Sequence, residues 1–277
     1  MSVWFITGAS RGLGAEIARA ALAAGDRVAV AVRDPRRLPE DLKDSDRVLA
    51  VALDVTSTAD IPAAVDAVVA RFGGIDVLVN NAGRGLLGAV EEITDAEARS
   101  LFDLNVFGLI NVTRAVLPVM RAAGGGKLVH IGSRSGFEGE PGVGLYSASK
   151  FAVAGISEAL SAELAPFGIQ SVVVEPGVFR TDFLDASSLS LAENRIAAYD
   201  GTPAHATLDW VDEANHAQLG DPVKGAALIH EVVSQDKLPS HLVLGRDAVE
   251  RLEVKIDLLR GDLAAWREKS VATAHAD

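Results

Sequence analysis

Val3-Trp4-Phe5-Ile6-Thr7-Gly8-Ala9-Ser10-Arg11-Gly12-Leu13-Gly14 is the stretch that decides the fold. Val3–Thr7 is short and apolar on both faces, the pattern of a parallel strand buried in a sheet. Thr7–Gly14 follows at once and leads into Gly14–Ala24, whose apolar residues recur at helical spacing. Glycines between a strand and a helix permit a tight turn and leave room for a pyrophosphate against the backbone. The start of the helix offers free N–H groups and a partial positive charge to the same anion. The spacing is Gly-x-x-x-Gly-x-Gly, not Gly-x-Gly-x-x-Gly, yet its place after an N-terminal strand points to dinucleotide binding.

The alternation continues outward. Val28–Val32, Val48–Leu53, Val77–Asn80, Lys127–Ile131, Ser171–Glu175 and Leu242–Leu244 read as further buried strands. Ile61–Phe72, Ala96–Ala122, Ala148–Phe167 and Pro222–Ser234 read as the helices between them. Strand–helix alternation from end to end predicts βαβ units and one doubly wound sheet, hence one domain over residues 1–277. A less regular stretch, 182–220, is expected to be a lid or substrate loop. A C-terminal helix and tail follow at 246–277, with Gly261–Asp277 expected to be a helix end and frayed tail.

The second strand ends in Arg33-Asp34. An acidic residue there bonds the adenosine ribose hydroxyls, whereas an arginine accommodates the 2′-phosphate of NADP. Arg33 comes first, and Arg11 in the glycine turn reaches the same region. Two guanidiniums near one phosphate favour NADP(H) over NAD(H).

Composition excludes several classes. A net charge of −12 on 277 residues argues against nucleic-acid binding and against a basic membrane surface. The absence of cysteine removes disulfides, thiolate zinc sites and thiol nucleophiles. The histidines at 130, 205, 216, 230, 241 and 275 are scattered, none in His-Glu-x-x-His, so no metal is expected. Met1-Ser2 leads directly into Val3–Ile6, too short for a signal peptide. No uninterrupted apolar stretch of about 20 residues is present. A cytoplasmic protein without a membrane partner is expected.

Tyr146-Ser147-Ala148-Ser149-Lys150 places a phenol and an ammonium on one helical face. A fixed cation favours the phenolate, so Lys150 is expected to lower the Tyr146 pKa from about 10. Together with the glycine turn, this string resembles the short-chain dehydrogenase/reductase family over residues 3–182. Further motifs match: Asp54-Val55, Asn80-Asn81-Ala82-Gly83, Asn105 within Asn-Val-Phe-Gly, Ser133 thirteen residues before Tyr146, Pro176-Gly177-Val178, and Thr181. The resemblance implies a Rossmann-type, mostly parallel seven-stranded sheet with helices on both faces. It implies a catalytic set of Asn105, Ser133, Tyr146 and Lys150. It further implies cofactor contacts from Gly8, Ser10, Arg11, Gly12, Leu13, Gly14, Arg33, Asp54, Val55, Asn81, Ala82, Gly83, Tyr146, Lys150, Pro176, Gly177, Val178 and Thr181.

By resemblance, Tyr146 protonates a carbonyl oxygen as hydride arrives from the nicotinamide. Ser133 orients that oxygen, Lys150 tunes Tyr146 and bonds the nicotinamide ribose, and Asn105 holds a water that relays protons. His130 is expected to be a buried structural residue and Glu175 a strand-end cap. Phe137, Val143, Leu145, Phe183, Leu184, Tyr199 and Trp210 are candidates for lining a pocket for a mostly apolar carbonyl or alcohol. The small residues Ala152, Ala154, Gly155 and Ala159 resemble the face through which relatives dimerise, so a homo-oligomer, dimer or tetramer, is expected. The alternative is a non-catalytic dinucleotide-binding redox sensor on the same fold, which would be expected to lack part of the catalytic set. An extended-type epimerase would want Gly-x-x-Gly-x-x-Gly spacing and a longer C-terminal domain, and neither is present.

Overall fold

The structure, a computed structural model, describes residues 1–43 and 45–275. Ala276 and Asp277, the end of the expected tail, lie outside the described residues. The elements run β1 (Val3–Thr7), α1 (Gly12–Ala23), β2 (Arg27–Val32), β3 (Val48–Ala52), α2 (Asp60–Phe72), β4 (Val77–Asn80), β5 (Gly85–Leu87), α3 (Asp95–Phe102) and α4 (Leu109–Ala123). They continue as β6 (Gly126–Ile131), α5 (Gly144–Leu164), β7 (Ile169–Pro176), β8 (Leu189–Leu191), α6 (Pro203–Ala214), α7 (Pro222–Val233), β9 (His241–Leu244) and α8 (Arg246–Val271).

Seven strands form one sheet in the order β3-β2-β1-β4-β6-β7-β9, and every pairing within it is parallel. Side chains alternate across it as strand geometry requires. Val28, Val30 and Val32 of β2 join Ile17 and Ala21 of α1 and Ile229 of α7 in one core layer. Ala29 and Ala31 join Val65 and Val68 of α2 and Val112 and Val116 of α4 in the other. Both faces are thus covered, which is why the strands read as continuous apolar runs. The strand order reverses at β1, and the crevice between the ends of β1 and β4 is where such sheets bind ligands.

Part of the polar interior is paired, although His130 Nε2 and Glu175 Oε1 have no partner among the described residues. Asn80 Nδ2 donates to Thr113 Oγ1 at 2.9 Å and lies 3.2 Å from His130 Nδ1. Burial pushes the His130 imidazole down to about 4, so it stays neutral in the core. Glu175 corrects its expected role as a strand-end cap: its buried carboxylate lies 3.0 Å from His241 Nδ1 on β9.

The C-terminal helix α8 runs through Gly261 and ends at Val271, inside the segment expected to hold a helix end and tail. An interior glycine costs only about 1 kcal/mol, and Leu258, Leu259, Leu263, Ala264 and Ala265 around it are strong helix formers. The helical run Asp95–Ala123 is long and apolar enough, by length and composition alone, to cross a membrane. It carries Asp103 and Arg114, and its Val112, Val116 and Met120 are buried in the core layer against the sheet.

Candidate active site

The crevice opens into a cavity of about 1170 Å³, somewhat above the usual size range of ligand pockets. Gly8, Ser10, Arg11, Gly12 and Leu13 line it from the glycine turn, and Arg33, Asp54 and Val55 from the ends of β2 and β3. Asn81, Ala82 and Gly83 line it after β4, and Pro176, Gly177, Val178 and Thr181 after β7. Gly14 is the exception, because it packs behind the turn. A Cβ there would lie 2.3 Å from Asn81 Nδ2 and 2.8 Å from the Gly8 carbonyl. That amide donates to the carbonyls of Thr7 (3.0 Å) and Gly8 (2.9 Å). Thr7 Oγ1 in turn accepts the N–H groups of Asn81 and Ala82, each at 3.1 Å. These bonds fix the turn to the end of β4.

Ser133, Tyr146 and Lys150 line the same cavity. Tyr146 sits buried in the first turn of α5, its ring 5.9 Å from that of Phe183. Lys150 Nζ donates to the Ile131 carbonyl at 2.8 Å and lies 5.8 Å from the centre of the Tyr146 ring. The expected lowering of the phenol pKa is overturned. Burial pushes Tyr146 up to about 12, opposed by the Ser133 hydroxyl and the Arg134 charge. The same burial pushes Lys150 down to about 8. The ammonium is bonded to a carbonyl rather than to the phenol, so desolvation of the phenolate prevails. At neutral pH Tyr146 holds its proton.

Asn105 lies behind the cavity wall, in a π turn (Asp103–Gly108) between α3 and α4. Such turns concentrate at functional sites, and this one accounts for an asparagine in a helical run. Its amide donates to the Arg84 carbonyl (2.9 Å) and to Ser149 Oγ (3.2 Å), and its oxygen accepts the Arg84 N–H (3.0 Å). Ser149 Oγ donates to the Tyr146 carbonyl at 2.7 Å, which ties Asn105 to the tyrosine helix. A Cβ at Gly83 would sit 3.1 Å from Asn105 Oδ1 and 3.8 Å from Lys150 Nζ. The glycine therefore keeps open the gap between the two side chains.

At the opposite end, Asp34 does not line the cavity. It caps a short 3₁₀ turn, and its carboxylate accepts from Arg36 Nε at 2.8 Å. That bond to Arg36 holds it below the usual carboxylate range. Arg33 is exposed at the cavity edge. Arg11 reaches across to the segment after β7, bonding Ser187 Oγ (2.6 Å), the Ser187 carbonyl (3.0 Å) and Ser188 Oγ (2.6 Å).

The expected lid, 182–220, carries more regular structure than a loop. β8 within it pairs in parallel with β5, and α6 spans part of the cavity. Val143, Phe183, Leu184 and Trp210 line the cavity as expected, whereas Phe137, Leu145 and Tyr199 do not. Tyr199 instead donates to Glu91 at 2.9 Å. Buried Glu92, which carried no signal in the sequence, anchors this roof. Its carboxylate accepts from the N–H of Ile196 (2.8 Å) and lies 2.8 Å from His205 Nε2 on α6. The Ile196 N–H and His205 hold Glu92 down to about 2. Asp182, Asp185 and His216 also come together, with ligand atoms within 4.8 Å. Asp185 spends that proximity on His216 (3.3 Å) and Asn215 (2.7 Å).

The wall beside Ser133 departs from an apolar lining: Arg134, Glu138, Glu140 and Arg251 all face the cavity. Arg134 pairs with Glu140 (3.1 Å), and Arg251, on α8, with Glu138 (3.2 Å).

A doubly wound parallel sheet whose cavity lies at its switch point defines a Rossmann-type α/β protein. The chain belongs to the short-chain dehydrogenase/reductase family of oxidoreductases: the family model for short chain dehydrogenase matches residues 2–191. An oxidoreductase of Botryotinia fuckeliana, BOA17, is 36% identical over 98% of this chain and 99% of its own. The crystal structure of a short-chain dehydrogenase from Streptomyces avermitilis superimposes with a TM-score of 0.90 at 41% identity, covering 99% of this chain and 100% of that one. A 3-ketoacyl-(acyl-carrier-protein) reductase from Brucella melitensis, solved with NADH, is similar at 25% identity and TM-score 0.73, over 88% and 96% of the two chains.

Proposed function

We propose that this oxidoreductase, acting as a single domain, reduces the carbonyl of a ketone or aldehyde to an alcohol, or runs the reverse, with NADP(H). The carrying observation is the buried Tyr146 phenol in one cavity with Ser133 and Lys150. When bound, the nicotinamide exchanges a hydride with the carbonyl carbon. Tyr146 gives its proton to the carbonyl oxygen, and the Ser133 hydroxyl donates to the same oxygen where charge develops. Lys150 returns a proton to Tyr146, and a water held by Asn105 would link Lys150 to solvent across Gly83. A sensor would have no use for this acid–base set in the cavity.

The residues fit a dinucleotide: a bonded glycine turn, a helix N-terminus and cavity space at the switch point. The preference for NADP(H) rests on Arg33 at the adenosine end, with Asp34 turned onto Arg36; Arg11, expected beside it, is instead bonded to Ser187 and Ser188 in the roof. Arg33→Ala is expected to raise the KM for NADPH by roughly tenfold or more, the scale of one charge-assisted bond, and to leave that for NADH nearly unchanged. Equal rises would overturn the preference. The substrate is a small molecule with a mostly apolar body under Val143, Leu184, Trp210 and Val211. Exposed Phe107, Phe151 and Phe167 support assembly as a dimer or tetramer, and the location is read as cytoplasmic. A screen of ketones, aldehydes and alcohols, following the absorbance of reduced nicotinamide, tests the activity. No turnover with any of them would favour the sensor.

A further inference from the structure

The first turn of α8 reaches back into the site. Asp247 Oδ2 accepts the Val178 N–H at 3.0 Å and lies 3.4 Å from Arg134 Nη1. Val178 belongs to the loop after β7, and Arg134 follows Ser133 directly. The approach is close: a Cβ on Gly177 would lie 2.1 and 2.3 Å from the Asp247 oxygens. Gly177 N–H donates to the Leu244 carbonyl at 2.8 Å, so the β7 loop is held to the end of β9 from which α8 departs. Arg134 is fixed on its other side by Glu140 at 3.1 Å. The side chains of Arg134, Glu140 and Asp247 are 18%, 16% and 22% exposed, which limits screening by solvent. The helix start favours a carboxylate at this position.

We propose that Asp247 is a positioning residue for hydride transfer. Its carboxylate spans two loops on the cavity wall and sets the distance between them. One loop, Gly177-Val178, receives the nicotinamide; the other carries Ser133, which holds the substrate oxygen. Asp247 touches neither reactant and acts through Val178 and Arg134. It lies beyond residues 2–191, the segment matched by the family model, so the family match assigns it nothing. The proposal rests on the oxidoreductase reading above.

The test compares the full chain with Asp247→Ala and Asp247→Asn. Asparagine keeps an acceptor for the Val178 N–H and loses the charge toward Arg134, whereas alanine loses both. Three readouts are taken: NADP⁺ affinity by calorimetry, kcat and KM, and the primary isotope effect with 4-deuterated NADPH. Asp247→Ala is expected to bind NADP⁺ several-fold more weakly and to lower kcat on the order of tenfold or more, with a larger isotope effect as hydride transfer becomes limiting. Asp247→Asn is expected to recover most of the NADP⁺ affinity and part of kcat. A merely structural role would lower the melting temperature and the fraction of active enzyme, leaving the isotope effect and the affinity of the folded fraction unchanged. That result in Asp247→Ala overturns the proposal. If the wild-type chain binds NADP⁺ but turns over no substrate, the oxidoreductase reading fails, and the proposal for hydride transfer falls with it. If the wild-type chain turns over normally and Asp247→Ala matches it in all three readouts, only the Asp247 proposal falls.

Discussion

Replacing Tyr146 with phenylalanine is expected to lower turnover on the order of a thousandfold, the scale of a lost general acid. The dinucleotide affinity should stay within about threefold, because the substitution removes one oxygen and keeps the ring. The ring packs beside Phe183 in a small apolar cluster with Leu86 and Leu101, so the fold should tolerate the change. Among the described side chains lining the cavity, Lys150 is equally buried and also holds a proton at neutral pH. Ser133 is a weaker acid, and Lys150 is directed at the Ile131 carbonyl. Retained turnover in the reduction assay would sink the proton-donor role. The phenol's pKa of about 12 gives the assay a direction: the protonated form needed for reduction is the resting form throughout the neutral range.

Gly14→Ala should have the second large effect, and it should appear without any substrate. The added methyl meets Asn81 Nδ2 at 2.3 Å and the Gly8 carbonyl at 2.8 Å. The Asn81 amide must leave its bonds to Thr7 and Gly8, each worth about 1 kcal/mol. Forcing a methyl into packed surroundings costs roughly 1–3 kcal/mol more. For a chain of this size each kcal/mol lowers the melting temperature by about 2–4 °C, so a fall on the order of 10 °C is expected in a thermal scan. The turn that should receive the pyrophosphate shifts with it, and calorimetry should show the dinucleotide affinity falling at least roughly tenfold, a change of about 1.4 kcal/mol. An unchanged melting temperature with unchanged affinity would show that α1 gives way at no cost.

What was legible in the sequence was local or periodic. The seven strand runs match the sheet because strands covered on both faces cannot alternate with polar residues. The glycine turn and the Tyr146–Lys150 spacing were legible because both are short-range backbone geometry. The direction of the Tyr146 pKa was not, since it depends on where Lys150 Nζ points and how much water reaches the phenol. Asp34 illustrates the same limit: its position at the end of β2 was right, but its side chain turned to Arg36, two residues on. The π turn around Asn105 leaves no periodic trace beyond an asparagine where a better helix former is expected. Glu92 and Asp247 carry no signal because the partners that give them their roles, Ile196 and His205 for one and Val178 and Arg134 for the other, lie far away in sequence, and a lone acidic residue has no pattern that reveals burial.

The roof over the cavity has a consequence for how the protein can be altered. It is attached by Glu92 to Ile196 and His205, by Arg11 to Ser187 and Ser188, and by backbone pairing of β5 with β8. The apolar side chains it presents to the cavity, Leu184, Trp210 and Val211, take no part in these attachments, whereas Arg11, Ser187 and Ser188 both fasten the roof and line the cavity. Selectivity can be redirected in the laboratory by exchanging these apolar side chains while the Glu92 and β5–β8 fastenings of the roof stay in place.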